Sequence, residues 1–308
     1  MGERTLGFSS LYVNYVVECD SRPSLLLSVE AAFSFIFSRC WLELGSTSMS
    51  LHVAGLILAR GGSRGIPLKN LAPLGERPLL EWALRAMLNF GGFDSLWVST
   101  DHPGIATCAS ALGAMVFARS AEFAGDEAAS LDAVQEFLRL HPEVDVVALV
   151  QCTSPFIRPG IVNHRDDSPE HRLLRKVELI SELLAEAHRL VTEEDYDSVF
   201  SVSRQKRLRW SEISLSQEKT RPLNFDPGKR PRRQDLRGDL VENGMFYFAR
   251  RDLVEGQGLL QGGHKCTYVE VDSKLSLEID SSLDLSLAQQ IVLHEGLSPF
   301  PPCPDKLH

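Results

Sequence analysis

The residue types best able to do chemistry in this chain crowd into one stretch, Leu56-Ile57-Leu58-Ala59-Arg60-Gly61-Gly62-Ser63-Arg64-Gly65-Ile66-Pro67-Leu68-Lys69-Asn70. An apolar run gives way to a loop in which three glycines alternate with Arg60, Arg64 and Lys69. Glycine lets the backbone turn tightly and bring its N–H groups close to a ligand, and the cations surround those amides with positive charge. A loop of this kind after a buried strand suits a polyphosphate. It matches neither common phosphate fingerprint. The GxxxxGK[ST] spacing is absent, and Gly61, Gly62 and Gly65 read GGxxG rather than GxGxxG. The competing reading is a surface loop whose charges only solvate it.

Carboxylates come next. Asp101 ends a second apolar run, and Glu278 and Asp280 stand two apart, a spacing that on a strand sends both side chains to one face. Two such groups suit Mg²⁺, which binds through one or two carboxylates plus substrate phosphates. A solvated edge strand would show the same pattern. Asp284 is expected as a helix N-cap instead of a ligand. The run Lys229-Arg230-Pro231-Arg232-Arg233 packs four cations into five residues of a chain whose formal net charge is −9. It reads as a seat for an anionic substrate, as a nuclear import signal, or as a solvated loop.

The elements that must position these groups follow from periodicity. Strands are expected at 53–59, 95–99, 115–117, 145–150, 197–202, 241–249 and 267–271, with helices at 79–88, 105–112, 130–140 and 285–295. This β-α-β-α-β order predicts an α/β fold with a doubly wound, mostly parallel sheet, whose ligand lies across the carboxyl ends of the strands. The glycine loop, Asp101, Arg119 and the polar turn Gln151-Cys152-Thr153-Ser154-Pro155 all fall at such ends. Residues 204–240 differ in kind, being rich in Arg and Lys and interrupted by prolines. They read as a basic excursion that faces an anion or a partner subunit.

Composition narrows the function classes. The chain has 308 residues, is 44% hydrophobic and carries more acid than base, so a general nucleic-acid binder is not expected. The six cysteines are scattered without a CxxC pair, which suits a reduced intracellular protein and gives no zinc site. Residues 1–50 contain no uninterrupted run of the roughly 18 apolar residues that a membrane helix needs. They are expected to be an extension, and residues 299–308 a tail, around a catalytic domain spanning 51–298.

At this point the motifs resemble a known family. Arg60-Gly61-Gly62-Ser63-Arg64-Gly65-Ile66-Pro67-Leu68-Lys69-Asn70 is similar to the signature of the cytidylyltransferases that activate acidic sugars. Ser99-Thr100-Asp101-His102, Ser130-Leu131-Asp132-Ala133, Gln151 to Pro155, Arg209-Trp210-Ser211-Glu212, Lys229 to Asp235 and Glu242 to Phe248 resemble segments of the animal N-acylneuraminate cytidylyltransferases. These segments occur in the same order over about residues 52–296. About 22 residues around Asn163 to Leu184 have no counterpart, and neither do residues 1–50.

The resemblance implies a Rossmann-type fold like that of the nucleotide-diphospho-sugar transferases, in which the basic excursion forms a homodimer or homotetramer interface. It implies that CTP and a sialic acid give a CMP-sugar and diphosphate, with Mg²⁺ required. The loop amides of Gly61, Gly62 and Ser63, with Arg60, Arg64 and Lys69, would hold the triphosphate, and Asn70 would position the nucleotide. Arg119 and Ser130 correspond to cytosine-reading positions and Gln151 to a sugar contact. Lys69 and Arg230 correspond to catalytic cations, and Asp101, Glu278 and Asp280 surround the metal. Neither a membrane nor a nucleic-acid partner is implied. The Lys229 to Arg233 run implies a nuclear location, with the cytoplasm as the alternative. This chain carries Arg64 for a usual lysine, Ala128 for a serine and Glu278 for an aspartate. A synthetase for a related acid sugar (deaminated sialic acid or 3-deoxy-octulosonate), or a catalytically weak nucleotide-binding homologue, would share most of these features.

Overall fold

Val53–Leu58 (β1) is almost wholly apolar, and such a run is stable in a sheet only when both of its faces are covered. The computed structural model describes residues 51–156, 180–213 and 219–294, and there β1 lies inside a seven-stranded sheet. The extension 1–50, most of the stretch from Asn163 to Leu184 and the tail 299–308 lie outside the described residues. After β1 come a two-residue hairpin, Pro73–Leu74 (β2) with Arg77–Pro78 (β3), and then Ser95–Thr100 (β4), Met115–Ala118 (β5) and Val146–Val150 (β6). The strands Ser198–Gln205 (β7), Asp239–Arg250 (β8) and Cys266–Val271 (β9) complete the sheet. Its order is β5-β4-β1-β6-β8-β7-β9, and β8 alone runs antiparallel to its neighbours.

The chain winds outward from β1 through β4 to β5, then returns to the other side of β1 with β6. That reversal opens a crevice at the carboxyl ends of β1 and β6, the place where such sheets bind ligands. Alternation along the strands supplies the two faces. Val53 and Ile57 join Val146, Ala148 and Val150 in a core under helices Leu79–Phe90 (α1), Pro103–Ala111 (α2) and Ile180–Thr192 (α4). Ala54, Leu56, Val147 and Leu149 point the other way, against Ser130–Leu140 (α3) and Arg251–Gln257 (α5). Helices on both faces make the sheet doubly wound, as the sequence implies.

Two local departures shape the site. Strand β8 is kinked: Gly244 has φ +70°, and pairing with β7 slips between Phe200 and Val202. Asn243 holds the kink, accepting from the Met245 N–H at 3.3 Å and donating to Ser276 Oγ at 3.0 Å. The second departure corrects an expectation. The segment carrying Glu278 and Asp280 is not a strand, because it has no ladder partner among the described residues. A backbone bond from the Ile279 N–H to the Thr153 carbonyl, 2.7 Å long, ties it to the turn after β6. Ile279 is fully buried in a third core with Ile66, Leu74, Trp82 and Phe156, while its two acidic neighbours are exposed. The two carboxylates therefore flank one buried anchor instead of alternating along a strand.

The following helix, Ser282–His294 (α6), starts three residues earlier than the periodicity suggests. Ser281 is its N-cap, not Asp284. Asp284 Oδ2 accepts from the Ser281 N–H at 2.8 Å and Ser281 Oγ accepts from the Asp284 N–H at 3.3 Å, a reciprocal capping box.

The basic excursion leaves the sheet after Gln205 and returns at Asp239. Its limbs pair through Leu223 N–H to Arg209 O and Ser211 N–H to Arg221 O, each 2.9 Å, and Trp210 meets Phe225 edge-on at 5.3 Å. Trp210, Ile213 and Leu223 are each at least half exposed on this arm.

If Ile279 is the anchor of the acidic segment, Ile279→Ala should cost about 2–5 kcal/mol in denaturant unfolding, the usual range for emptying a buried aliphatic site. A loss below about 0.5 kcal/mol would show that the segment is held by something else.

Candidate active site

The glycine loop leaves β1 and immediately meets the end of β4. The Gly61 N–H donates to Asp101 Oδ1 at 2.7 Å, and a side chain at position 61 would collide with the Cβ of His102 at 2.9 Å. Glycine is required there because the two strand ends approach so closely. At Gly65 an added Cβ would lie 2.2 Å from the Asp280 carbonyl oxygen, so the loop also abuts the acidic segment. Gly62 meets nothing within 4 Å, and its backbone is open to a ligand. Leu68 takes a left-handed conformation, φ 47°, just before a short 3-10 turn at Lys69–Leu71. Asn70 is buried and donates to the Arg60 carbonyl at 3.0 Å, bracing the loop from inside.

The loop cations are all engaged. Arg60 reaches Asp126 at 3.0 Å and also donates to the Gly125 carbonyl, and Arg64 Nε reaches Asp126 at 2.8 Å. These bonds raise the Arg64 guanidinium and hold the Asp126 carboxyl below its ordinary range. Lys69 Nζ donates to Asp280 Oδ1 at 3.0 Å. Nothing in the local sequence marks Asp126 as the partner of arginines more than 60 positions away, and it is absent from the sequence-derived site.

Arg119 follows β5 and is 92% buried, its Nε donating to Ser99 Oγ at 3.0 Å and its Nη2 to the Ser99 carbonyl at 2.9 Å. Burial pulls this guanidinium below its ordinary value, partly offset by Asp101 and Glu136. Ser130 opens α3 and is exposed. Gln151 follows β6, its N–H held by the Met245 carbonyl at 3.0 Å. Cys152 beside it is fully buried, and desolvation pushes its thiol up to about 12, so it is an inert packing group.

On the acidic side, Glu278 lies against Gly244, where a Cβ would sit 3.3 Å from Oε1. Gly244 thus serves both the kink and the carboxylate. Partial desolvation of its carboxyl end and the neighbouring Asp280 raise the Glu278 carboxyl above its ordinary value, while Lys69 and a hydrogen bond with Thr153 oppose the shift. Asp101 does not join this pair. Among the described residues no three His, Cys, Asp or Glu side chains gather into a group able to hold a metal alone. The donor chemistry still fits Mg²⁺, whose remaining ligands normally come from water and substrate phosphate.

Two cavities adjoin the acidic segment and the excursion. The larger, about 990 Å³, is lined by both acidic and basic groups, among them Glu278, Glu242, Lys206, Arg207 and Arg233. The smaller, about 500 Å³, is lined by Arg230, Pro231, Arg207 and Arg233. Of the two arginines of interest, Arg233 faces both cavities, while Arg230 faces only the one away from Glu278. The family resemblance singles out Arg230 within the run, and Arg230 lines the smaller cavity.

The family model described as cytidylyltransferase matches residues 54–291. The N-acylneuraminate cytidylyltransferase A of Danio rerio is 46% identical over 248 residues, covering 80% of this chain and 52% of its own length. The N-acylneuraminate cytidylyltransferase of Oncorhynchus mykiss is 45% identical over 246 residues, covering 80% of this chain and 51% of its own. The chain thus spans about half the length of the curated relatives it matches. A solved structure of a CMP:2-keto-3-deoxy-manno-octonic acid synthetase complexed with CTP superposes with a TM-score of 0.53 at 17% identity, covering 79% of this chain and 99% of that one. At that identity the likeness speaks for the fold alone. With the fold, the glycine loop at the β1–β6 crevice and the match over 54–291 in agreement, this chain belongs to the cytidylyltransferase family.

Proposed function

We propose that this chain activates a sialic acid, joining it to CTP to give the CMP-sugar and diphosphate. The observation that carries the reading is the gathering of Gly61–Ser63, Lys69, Arg119 and Gln151 at the carboxyl ends of β1, β5 and β6, in a chain whose curated relatives are named for this reaction. The sugar's anomeric oxygen attacks the α-phosphorus of CTP, the α–β phosphoanhydride bond breaks, and diphosphate leaves. Open backbone at Gly62, with Arg60, Arg64 and Lys69, supports the loop as the triphosphate seat, braced by Asn70. Arg119, held rigidly on Ser99, and Ser130 at the start of α3 take the cytosine. Gln151 and the larger cavity take the sugar, whose carboxylate would meet the Lys206, Arg207 and Arg233 side chains among the cavity's lining. Arg233, supported by Arg230, stabilises the negative charge that grows on the phosphate oxygens. Glu278 and Asp280 would hold Mg²⁺, which would neutralise phosphate charge and favour departure of diphosphate, while Asp101 braces the loop through the Gly61 N–H.

We also infer a homo-oligomer assembled through the excursion, because Trp210, Ile213 and Leu223 leave apolar surface exposed on a paired arm. The exposed Lys229–Arg233 run supports nuclear import.

The test is diphosphate release from CTP with a panel of acid sugars, expected to be greatest with N-acetylneuraminate and abolished when chelator removes Mg²⁺. No product from any sugar, while CTP still raises the melting temperature, would leave a nucleotide-binding homologue without catalysis. In the same assay Arg233→Ala should lower kcat by about 100-fold and Arg230→Ala by much less. The reverse order would return the catalytic role to Arg230. Trp210→Asp should convert a dimer or tetramer to a monomer in light scattering, and a monomeric mass for the unaltered chain would remove the interface. A fluorescent fusion confined to the cytoplasm would contradict nuclear import.

A further inference from the structure

The glycine loop's positive charge is cancelled within the molecule. Arg60 and Arg64 converge on one carboxylate, Asp126, at 3.0 and 2.8 Å, and Arg64 also reaches Glu127 at 3.6 Å. Two cations face two acids, so this part of the loop presents no net charge to an incoming anion. The Asp126 oxygens stand where oxygens of a bound phosphate would be expected, since a guanidinium receives carboxylate and phosphate with the same forked geometry. The contact is built to open. Arg64 is 71% exposed and Glu127 98% exposed at the side chain, and pairs so open to water hold weakly. The acids ride on a turn between Phe123 and Ser130 in which Gly125 has open space at its Cβ position, and the Gly125 carbonyl accepts from Arg60, so Arg60 is held to this turn by both contacts.

We propose that Asp126, with Glu127, is an acidic latch that occupies the phosphate-binding arginines until a nucleotide triphosphate displaces it. The inference rests on the loop being the triphosphate seat, as proposed above. A triphosphate brings three or four negative charges against the single charge of Asp126, so it wins the arginines. The binding-competent state is only a fraction of the free protein, and the apparent affinity is lowered by that fraction. Asp126 touches neither the reacting atoms nor the base. It sets how much of the loop's intrinsic affinity is realised, and it acts through Arg60 and Arg64.

The experiment measures binding of CTP and of inorganic triphosphate by calorimetry to the unaltered chain, Asp126→Asn, Asp126→Glu and Asp126→Asn/Glu127→Gln. Asp252→Asn, on α5 and in contact with none of these groups, controls for the change in net charge. Asp126→Asn should bind both probes about tenfold more tightly at low ionic strength, with the gain shrinking as salt is added. Asp126→Glu should behave like the unaltered chain, and the double variant should gain at least as much as Asp126→Asn. Melting temperatures should stay within a few degrees, because the pairs are exposed. Unchanged or weaker binding by Asp126→Asn, with sound binding by the unaltered chain, overturns the latch and leaves the phosphate seat standing. An equal gain in Asp252→Asn also overturns it, since charge alone would then explain the effect. If no variant binds either probe, the phosphate seat itself falls, and the latch with it.

Discussion

The site depends on one topological constraint, the reversal of winding between β1 and β6. A parallel sheet wound in one direction would carry its strand ends away from one another. Here β1 is flanked by β4 on one side and β6 on the other, so three connections leave the same edge in opposite directions and open a crevice between them. The backbone is crowded there, which is why Gly61 and Gly65 have no room for a Cβ. Around that crevice the chain brings together groups more than 200 positions apart, with Lys69 and Asp280 only 3.0 Å from each other.

The acidic segment shows how little local structure a functional residue needs. Glu278 and Asp280 sit on neither strand nor helix, and their placement relies on Ile279, buried between them and bonded through its N–H to the turn that follows β6. A buried aliphatic side chain and a backbone bond can fix two carboxylates because the core beneath is close-packed and the adjoining helix is capped by Ser281 and Asp284. The kink of β8 at Gly244 serves the same end, making space for the Glu278 carboxylate that a regular strand bearing side chains would fill.

Electrostatically, the chain balances its own ligands. Each cation of the glycine loop meets a carboxylate of this chain, Asp126 for Arg60 and Arg64 and Asp280 for Lys69. A protein that must both receive and release highly charged molecules gains from such internal partners. They keep the cations from trapping stray anions, and the most exposed of them, Arg64 with Asp126, yields without great cost.

The sequence by itself determined the order of elements and the edge at which chemistry belongs. Apolar runs broken by glycine, the exact helix at Ser130–Leu140 and the polar endings at Asp101, Arg119 and Gln151 are local signals, set by hydrophobic period and turn chemistry. Family resemblance supplied the nucleotide, because no spacing of glycines and arginines distinguishes cytosine from another base. Only the tertiary structure decided that Ser281 rather than Asp284 caps α6, that Glu278 and Asp280 are held by a buried anchor instead of a strand, and that Arg233 faces both cavities. It alone paired Asp126 with arginines over 60 positions away. Charge pairs and cavity walls arise from contacts between segments distant in sequence, and periodicity carries no information about which segments those will be.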